Sequence, residues 1–314
     1  MVPAPSLIDH REVIEVEHLS KRYGEKLAVD DVTFTVRPGI VTGFLGPNGA
    51  GKSTTMRMMV GLDAPTAGSA NVNGRDYRSL EAPLHEVGAL LEARSIHPGR
   101  SAHHHLLALA QTHGMARGRV GEVLELVGLS DVARQRVGGF SLGMTQRLGV
   151  ASALLGDPAT VILDEPVNGL DPQGVLWIRT LLKGLAAEGR TVFVSSHLMS
   201  ETALTADHVI VVGRGRLVAD MSVADIVAQA SQDVPVLIRT PDAAALRDAL
   251  AADGAAVASR GPGLLEARGV PSARIGELAA RAGMVLYELT PQKASLEDAF
   301  MRLTGELVDF RAAA

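Results

Sequence analysis

Residues 46–53 read Gly-Pro-Asn-Gly-Ala-Gly-Lys-Ser, and this stretch decides the fold. It satisfies G-x-x-x-x-G-K-[ST], the pattern of a loop whose backbone N–H groups surround phosphate oxygens between a strand and a helix. The apolar run 40–45 precedes the loop, and the helix-compatible segment 54–60 follows it. A Gly-rich turn with a chance lysine would require neither neighbour. The sequence therefore predicts a phosphate-binding loop in an α/β fold.

Each residue type in this loop has a physical task. Glycines let backbone N–H groups turn inward around the anion, and the following helix directs its positive end at the same group. We expect Lys52 to reach the β- and γ-phosphates of a nucleotide, and the Ser53 hydroxyl to bind Mg²⁺, which prefers oxygen ligands. The predicted binding residues are Gly46, Pro47, Asn48, Gly49, Ala50, Gly51, Lys52, Ser53 and Thr54.

Composition excludes several other classes of protein. With 314 residues, of which 46% are hydrophobic, the chain can bury a sizeable core. Its formal net charge is −5, whereas proteins that bind nucleic acids usually present a basic surface to the phosphates. We therefore expect no nucleic acid partner. The absence of cysteine excludes disulfides and thiolate metal sites. No apolar run approaches the roughly 18 to 20 residues of a membrane span, so we expect a chain without a span of its own.

Hydrophobic periodicity divides the chain into two predicted domains. Strand-like runs continue to about residue 220, and helical spacing from about 102 to 127 predicts a helical insert. The remaining order, β-α-β-β-α-β, predicts a smaller α+β domain of ferredoxin-like type. We expect Ser272 to cap its second helix, 284–289 to be its last strand, and a final helix to start at Ser295. The predicted divisions are an N-terminal tail at 1–12, a nucleotide-binding domain at 13–220 with a helical subdomain at about 93–155, and a C-terminal accessory domain at 221–314.

Two consecutive carboxylates, Asp164 and Glu165, end the apolar strand predicted at 161–163. Ligands collect at the carboxyl ends of strands in open α/β sheets. Asp164 would therefore hold Mg²⁺ through a water, and Glu165 would polarise the water that attacks the γ-phosphate. Taken alone, an Asp-Glu pair at a strand end is equally compatible with a solvated turn. The phosphate-binding loop elsewhere in the chain favours the catalytic interpretation.

Further short segments follow in a fixed order. Residues 140–144, Phe-Ser-Leu-Gly-Met, are similar to the sequence L-S-G-G-Q, with leucine and methionine in place of a glycine and the glutamine. Residues 168–171 read Asn-Gly-Leu-Asp, 195–197 read Ser-Ser-His, and Tyr23 is an aromatic near the predicted first strand. With the phosphate-binding loop, these segments resemble the nucleotide-binding domain of ATP-binding cassette (ABC) proteins over about residues 13–220.

The resemblance implies ATP and Mg²⁺ as cofactors and a homodimer. In the family, the helix that Ser141 and Gly143 begin meets the ATP of a second subunit, and the loop that ends at Asp171 crosses the dimer interface. His197 would contact the γ-phosphate, and Tyr23 would stack on adenine. Taken singly, Ser141 and Gly143 are more typical of an ordinary capped helix, and a lone histidine after a strand is more often structural or on the surface. Tyr23 taken alone is also compatible with an ordinary aromatic at a strand end. The catalytic residues that the resemblance implies are Lys52, Glu165 and His197.

Glu92 is the clearest departure from the family pattern, because most members carry glutamine at the aligned position. In the family this loop senses Mg²⁺ and the membrane partner, so Glu92 is a predicted nucleotide and Mg²⁺ ligand. Glutamate at this position resembles the pattern in a branch of the family that exports antibiotics and antimicrobial peptides. The resemblance therefore implies a drug-type exporter, which carries a drug, antibiotic or antimicrobial peptide through a separate integral membrane permease. This chain would be its peripheral ATPase on the cytoplasmic side of the cell membrane.

Two other functions stay open at this point. One is a soluble ABC-type ATPase acting on ribosomes or DNA, although such members usually carry two cassettes or a long coiled-coil insert. The other is a P-loop kinase or another phosphotransferase, which would need neither Ser141 and Gly143 nor His197. The complete set of motifs favours the transporter subunit.

Replacing Glu92 with glutamine tests the role of its charge. Glutamine keeps an oxygen ligand and adds an amide donor, but it removes a negative charge and a protonation site. We expect Glu92→Gln to keep substantial ATPase activity, measured as phosphate release by the purified protein. Complete loss of hydrolysis with ATP binding intact would contradict this expectation.

Overall fold

The computed structural model describes residues 13–226 and 235–292. These residues form two compact units, of which the first extends to Ser222 and the second begins at Val223. The predicted N-terminal tail and the final helix predicted from Ser295 lie outside the described residues.

The first unit combines two sheets with helices. Its strands are β1 (Ile14–Tyr23), β2 (Lys26–Val36), β3 (Val41–Leu45), β4 (Ala67–Val72), β5 (Val87–Leu90), β6 (Thr160–Leu163), β7 (Thr191–Ser196), β8 (His208–Gly213) and β9 (Arg216–Ser222). Its helices are α1 (Lys52–Met59), α2 (Pro83–Glu86), α3 (Ala102–Thr112), α4 (Gly118–Leu126), α5 (Leu142–Leu154), α6 (Pro172–Ala187) and α7 (Met199–Thr205). The predicted order of strand, phosphate-binding loop and helix is confirmed, since the loop joins β3 to α1.

The larger sheet sets the position of the site. Its strand order is β5-β6-β7-β3-β8-β9, parallel throughout except that β9 runs antiparallel to β8. Every residue of β3, β6 and β7 is buried, as expected of parallel strands in the middle of a covered sheet. Because these three strands are neighbours, their carboxyl ends meet at one edge.

An aromatic cluster packs the smaller sheet, with strand order β2-β1-β4, against the larger one. Phe34 of β2, Phe44 of β3 and Phe193 of β7 lie with ring centroids 5.1 to 5.9 Å apart. The chain has six phenylalanines, and three of them meet here. Aromatic pairs at such distances contribute about 0.5–1.5 kcal/mol each beyond the burial of their area.

The helical insert consists of α3 and α4, which pack with α5. Their buried positions include Leu106, Ala110, Val120, Val123 and Leu124, in agreement with the predicted helical spacing. Strands β4 and β5 were not predicted from the sequence.

The second unit is a four-stranded antiparallel sheet with two helices. Its elements are β10 (Val236–Arg239), α8 (Ala243–Ala252), β11 (Ala256–Gly261), β12 (Leu264–Arg268), α9 (Ser272–Arg281) and β13 (Glu288–Pro291). The strand order β11-β12-β10-β13 and the predicted β-α-β-β-α-β sequence together give the ferredoxin-like arrangement. Its core joins Ile238, Leu246, Leu250, Leu265 and Ile275.

Two local predictions for this unit were wrong. Ser272 does not cap α9, because Pro271 occupies the N-cap position and Ser272 is already helical. The last strand begins at Glu288 rather than at residue 284, because Glu288 pairs with Arg239, the last residue of β10. One further bond, from the Tyr287 N–H to the Arg239 carbonyl, follows before the pairing ends. Beyond that point, the Thr240 hydroxyl donates a hydrogen bond to the Val285 carbonyl instead.

Gly88 in β5 has no room for a side chain, which gives a test of the packing between β5 and α5. A Cβ at this position would lie 2.1 Å from the Ala153 carbonyl oxygen, which belongs to the backbone of α5 and cannot rotate away. We expect Gly88→Ala to lower the free energy of unfolding by about 1–3 kcal/mol, measured by urea denaturation.

Gly184→Ala is the matched control, because Gly184 is exposed in α6 and a Cβ there would contact nothing within 4 Å. Removing a glycine from a helix interior should raise the free energy of unfolding by about 0.5–1 kcal/mol. Equal effects of the two substitutions would contradict the close approach of β5 to α5.

Candidate functional site

The phosphate-binding loop folds tightly because glycine occupies its crowded positions. A Cβ on Gly46 would lie 2.4 Å from the Val212 carbonyl oxygen, and one on Gly51 would lie 2.6 Å from the Ala28 carbonyl oxygen. Gly51 also has a φ of 103°, a left-handed conformation that side chains disfavour. The loop thus brings its backbone and the start of α1 to the edge of the sheet where β3, β6 and β7 end.

Lys52 is buried at the centre of the site, with 6% of its surface exposed. Its Nζ donates a hydrogen bond to the Gly46 carbonyl oxygen at 2.7 Å and lies 3.7 Å from Glu165 Oε1. Burial lowers the pKa of Lys52, and the negative charges of Glu165 and Asp164 partly oppose that shift. The ammonium is therefore held among oxygen atoms at the base of the loop.

Glu165 connects the three strand ends. It follows β6, its backbone N–H donates to Ser195 Oγ of β7 at 2.9 Å, and the Ser195 hydroxyl donates in turn to Asp164. Its Oε2 lies 2.7 Å from Nδ1 of His197, just after β7. The structure therefore unites Lys52, Glu165 and His197, the three predicted catalytic residues. A carboxylate paired with a histidine beside a phosphate-binding loop is arranged to take a proton from a water.

A cleft opens over Lys52 and Glu165. Its lining residues are Tyr23, Lys26, Ala28, Pro47, Asn48, Gly49, Gly51, Lys52, Ser53, Thr54 and Glu165. The Tyr23 hydroxyl donates to Asp63 Oδ2 at 2.9 Å, which fixes the ring while leaving it half exposed at one end of the cleft. Lys26 adds a cation that was not predicted from the sequence, because a lone lysine in a strand has no distinctive pattern.

Two oxygen donors, Ser53 in the cleft and Asp164 near Lys52, fit Mg²⁺. The Ser53 hydroxyl is exposed in the cleft, and the Asp164 carboxylate lies near enough to act on Lys52 electrostatically. Mg²⁺ prefers such hard oxygen ligands and is commonly bound by one or two protein groups together with substrate phosphates and waters. Glu92 lines a neighbouring groove with Arg57 instead of the cleft, so its role as a ligand stays a prediction.

The other predicted nucleotide-binding residues lie outside the residues that line the cleft. Ser141 caps α5 by accepting a hydrogen bond from the Met144 N–H at 3.1 Å, and Asp171 caps α6 by accepting one from the Gly174 N–H at 2.8 Å. Gly143 approaches the loop before α6, since a Cβ there would lie 3.3 Å from the Gly169 carbonyl oxygen. Within one chain, these residues therefore form a second surface.

Ser195 and Gln146 are further site residues that sequence reasoning missed. Ser195 is fully buried, and Gln146 is buried with its Nε2 donating to the Glu165 carbonyl oxygen at 3.3 Å. A detectable signal existed for Gln146, because it occupies the inward face of a predicted helix otherwise lined by Gly149, Val150 and Ala153. A polar residue on such a face needs a hydrogen-bonding partner.

Comparisons with known proteins find relatives named as ATP-binding proteins of transport and export systems. The family model described as ABC transporter matches residues 29–168, and a domain of unknown function (DUF8746) matches 234–297. The bacitracin transport ATP-binding protein BcrA of Bacillus licheniformis is 41% identical over 212 residues, 67% of this chain and 69% of the relative. The Nod factor export ATP-binding protein I of Burkholderia orbicola (strain AU 1054) is 36% identical over 300 residues, 93% of this chain and 97% of the relative. A dimeric structure of MJ0796, a bacterial ABC transporter cassette, matches with a TM-score of 0.62 at 25% identity, over 67% of this chain and 98% of that one.

Removing the Ser195 hydroxyl tests the link between β6 and β7. Ser195→Ala leaves the Glu165 N–H without its acceptor and Asp164 without its donor, so we expect the free energy of unfolding to fall by about 1–3 kcal/mol. Urea denaturation measures the change, and exposed Ser130→Ala is the control, with an expected effect within about 0.5 kcal/mol. An unchanged stability for Ser195→Ala would contradict the link.

Proposed function

Because the chain belongs to the ATP-binding proteins of ABC transporters, we propose that it is the ATP-hydrolysing motor of an exporter whose membrane-spanning part is a separate subunit. The predicted family is confirmed by these relatives. The single observation that supports the proposed motor is the position of Glu165, which lines the cleft with Lys52 and the phosphate-binding loop and pairs with both Lys52 and His197.

Each side chain in the cleft has a proposed task in ATP hydrolysis. Adenine stacks on the Tyr23 ring, and Lys52 exchanges its bond to the Gly46 carbonyl for bonds to the β- and γ-phosphates. The Ser53 hydroxyl and, through a water, the Asp164 carboxylate would hold Mg²⁺, which would withdraw charge from the phosphates. Glu165 accepts a proton from the attacking water, while His197 orients the Glu165 carboxylate and contacts the γ-phosphate.

A homodimer completes the proposed site. The surface formed by Ser141, Gly143 and Asp171 does not line the cleft of its own chain, so a second copy is free to present it to the bound ATP. The N-terminus of α5 offers backbone N–H groups and a helix dipole to a phosphate anion. Two chains would therefore enclose two ATP molecules, and closing the dimer would be coupled to hydrolysis.

The proposed partner is an integral membrane permease. Within residues 13–226 and 235–292, no helix has the length and apolar character needed to cross a bilayer. Because the relatives are named as ATP-binding proteins of transport and export systems, we propose that the motor lies peripherally on the cytoplasmic face of the membrane. The relative named for Nod factor export supports export as the direction of transport. Glu92 and the relative named for bacitracin transport support a drug, antibiotic or antimicrobial peptide as the exported compound.

Glu165→Gln tests the proposed motor, because glutamine keeps the shape but cannot accept the proton. We expect ATP hydrolysis by the purified protein to fall at least about 100-fold, while the affinity for ATP changes little. Light scattering should then show a dimer that persists in ATP. Glu125→Gln, the same change at an exposed position of α4, should leave both measurements as in the unmodified chain.

The transport part of the proposal needs the membrane subunit. The chain should copurify with an integral membrane protein, and inside-out vesicles containing both should accumulate the exported compound only with hydrolysable ATP. Glu165→Gln should stop this accumulation. Association with ribosomes or DNA instead of membranes, or wild-type protein without ATPase activity, would refute the proposed function.

A further inference from the structure

The backbone at Glu165 adopts an unfavourable conformation for a residue with a side chain. Its φ is 50°, in the left-handed region that glycine usually occupies. Such a conformation costs about 1–3 kcal/mol and persists only where surrounding contacts impose it. The turn after β6 therefore depends on the groups that hold Glu165 from outside.

Hydrogen bonds from three directions hold the peptide groups on either side of Glu165. Its N–H donates to Ser195 Oγ at 2.9 Å, while its carbonyl oxygen accepts from the Asn168 N–H at 3.1 Å and from Gln146 Nε2 at 3.3 Å. The first comes from β7, and the second belongs to the turn itself. The third comes from α5, the helix that Ser141 caps.

The chemistry of the amide defines the direction of the bond from Gln146. A carbonyl oxygen can only accept, so the nitrogen of the Gln146 amide must face Glu165. Gln146 is 5% exposed, and losing its donor would leave the Glu165 carbonyl with the Asn168 bond alone. The next residue, Arg147, stacks on Trp177 of α6 and donates to the Val127 carbonyl, which fixes this part of α5.

We propose that Gln146 is a positioning residue for ATP hydrolysis. By holding the Glu165 carbonyl, it maintains the left-handed turn that directs the Glu165 carboxylate between Lys52 and His197. Gln146 is not among the residues that line the cleft, and it acts through Glu165. The inference rests on the proposed role of Glu165 in ATP hydrolysis, and it adds a link from the capped helix α5 to that carboxylate.

Gln146→Met removes the donor while keeping the length of the side chain. We expect kcat for ATP hydrolysis by the full-length chain to fall about tenfold, with KM for ATP changed less than about twofold. Rates are normalised to the folded fraction, measured by titration with a fluorescent ATP analogue. Gln111→Met, the same substitution at an exposed position of α3, is the control and should leave kcat unchanged.

Gln146→Glu separates positioning from packing through its pH dependence. An ionised carboxylate repels the Glu165 carbonyl, whereas a protonated one donates a hydrogen bond to it, and burial favours the protonated form. The ratio of its kcat to that of the unmodified chain should therefore rise severalfold as the pH falls from about 8.5 to about 6. The corresponding ratio for Gln146→Met should stay constant. Should Gln146→Met fail to fold, the profile of Gln146→Glu decides alone.

A double variant tests whether Gln146 acts through Glu165. In the Glu165→Gln background, Gln146→Met should cause no further loss in the residual rate, because the carboxylate it positions is absent. An additive loss, an unchanged kcat in Gln146→Met, or a flat profile for Gln146→Glu would overturn the inference. Each of these results leaves the proposed function intact, provided that the unmodified chain hydrolyses ATP and Glu165→Gln does not.

Discussion

The burial of the Lys52 ammonium is the constraint on which the site depends. Removing a charged amine from water is costly unless oxygen atoms surround it, and here the Gly46 carbonyl accepts its hydrogen bond while Glu165 lies opposite. Lys52 begins α1 after β3, whereas Glu165 follows β6, so their attraction joins two strand ends with β7 between them. In the proposed function, phosphate oxygens replace the carbonyl as acceptors. The Lys52 ammonium is thus held beside the position that a bound phosphate would occupy, so its side chain would move little when the phosphate binds.

Local patterns were sufficient to predict much of the fold. The phosphate-binding loop, the strand before it and the helix capped by Ser141 depend on residues that are close in sequence. Strands β4 and β5 were missed for the opposite reason. The sequence of β4, Ala-Gly-Ser-Ala-Asn-Val, has little apolar alternation, and its pairing with β1 defines it as a strand. Likewise, β5 has four residues, and its pairing with β6 places it in the larger sheet.

The functional site also combines features that the local sequence predicts with features that depend on distant strand pairing. Resemblance to a family suggested Glu165 and His197, but nothing in the local sequence requires their side chains to lie 2.7 Å apart. That distance follows from the pairing of β6 with β7, a contact between segments about thirty residues apart. Ser195 and Gln146 both bind backbone atoms of Glu165, and a backbone atom leaves no mark on the sequence. Buried polar residues on apolar faces are therefore the available signal for such partners.

The leucine that departs from the family pattern has a structural explanation. A Cβ on Gly169 would lie 2.2 Å from Leu142 Cδ2, so the Leu142 side chain occupies space that exists because residue 169 is a glycine with a φ of 76°. Residues 165–171 form one loop between β6 and α6, held at its first residue by Ser195 and Gln146 and at its last by the cap on α6. The start of α5 therefore contacts the middle of the loop that begins with Glu165. A partner that pressed on the exposed Leu142 would act on the same loop that positions the carboxylate, which gives the capped helix and the catalytic group a shared mechanical element.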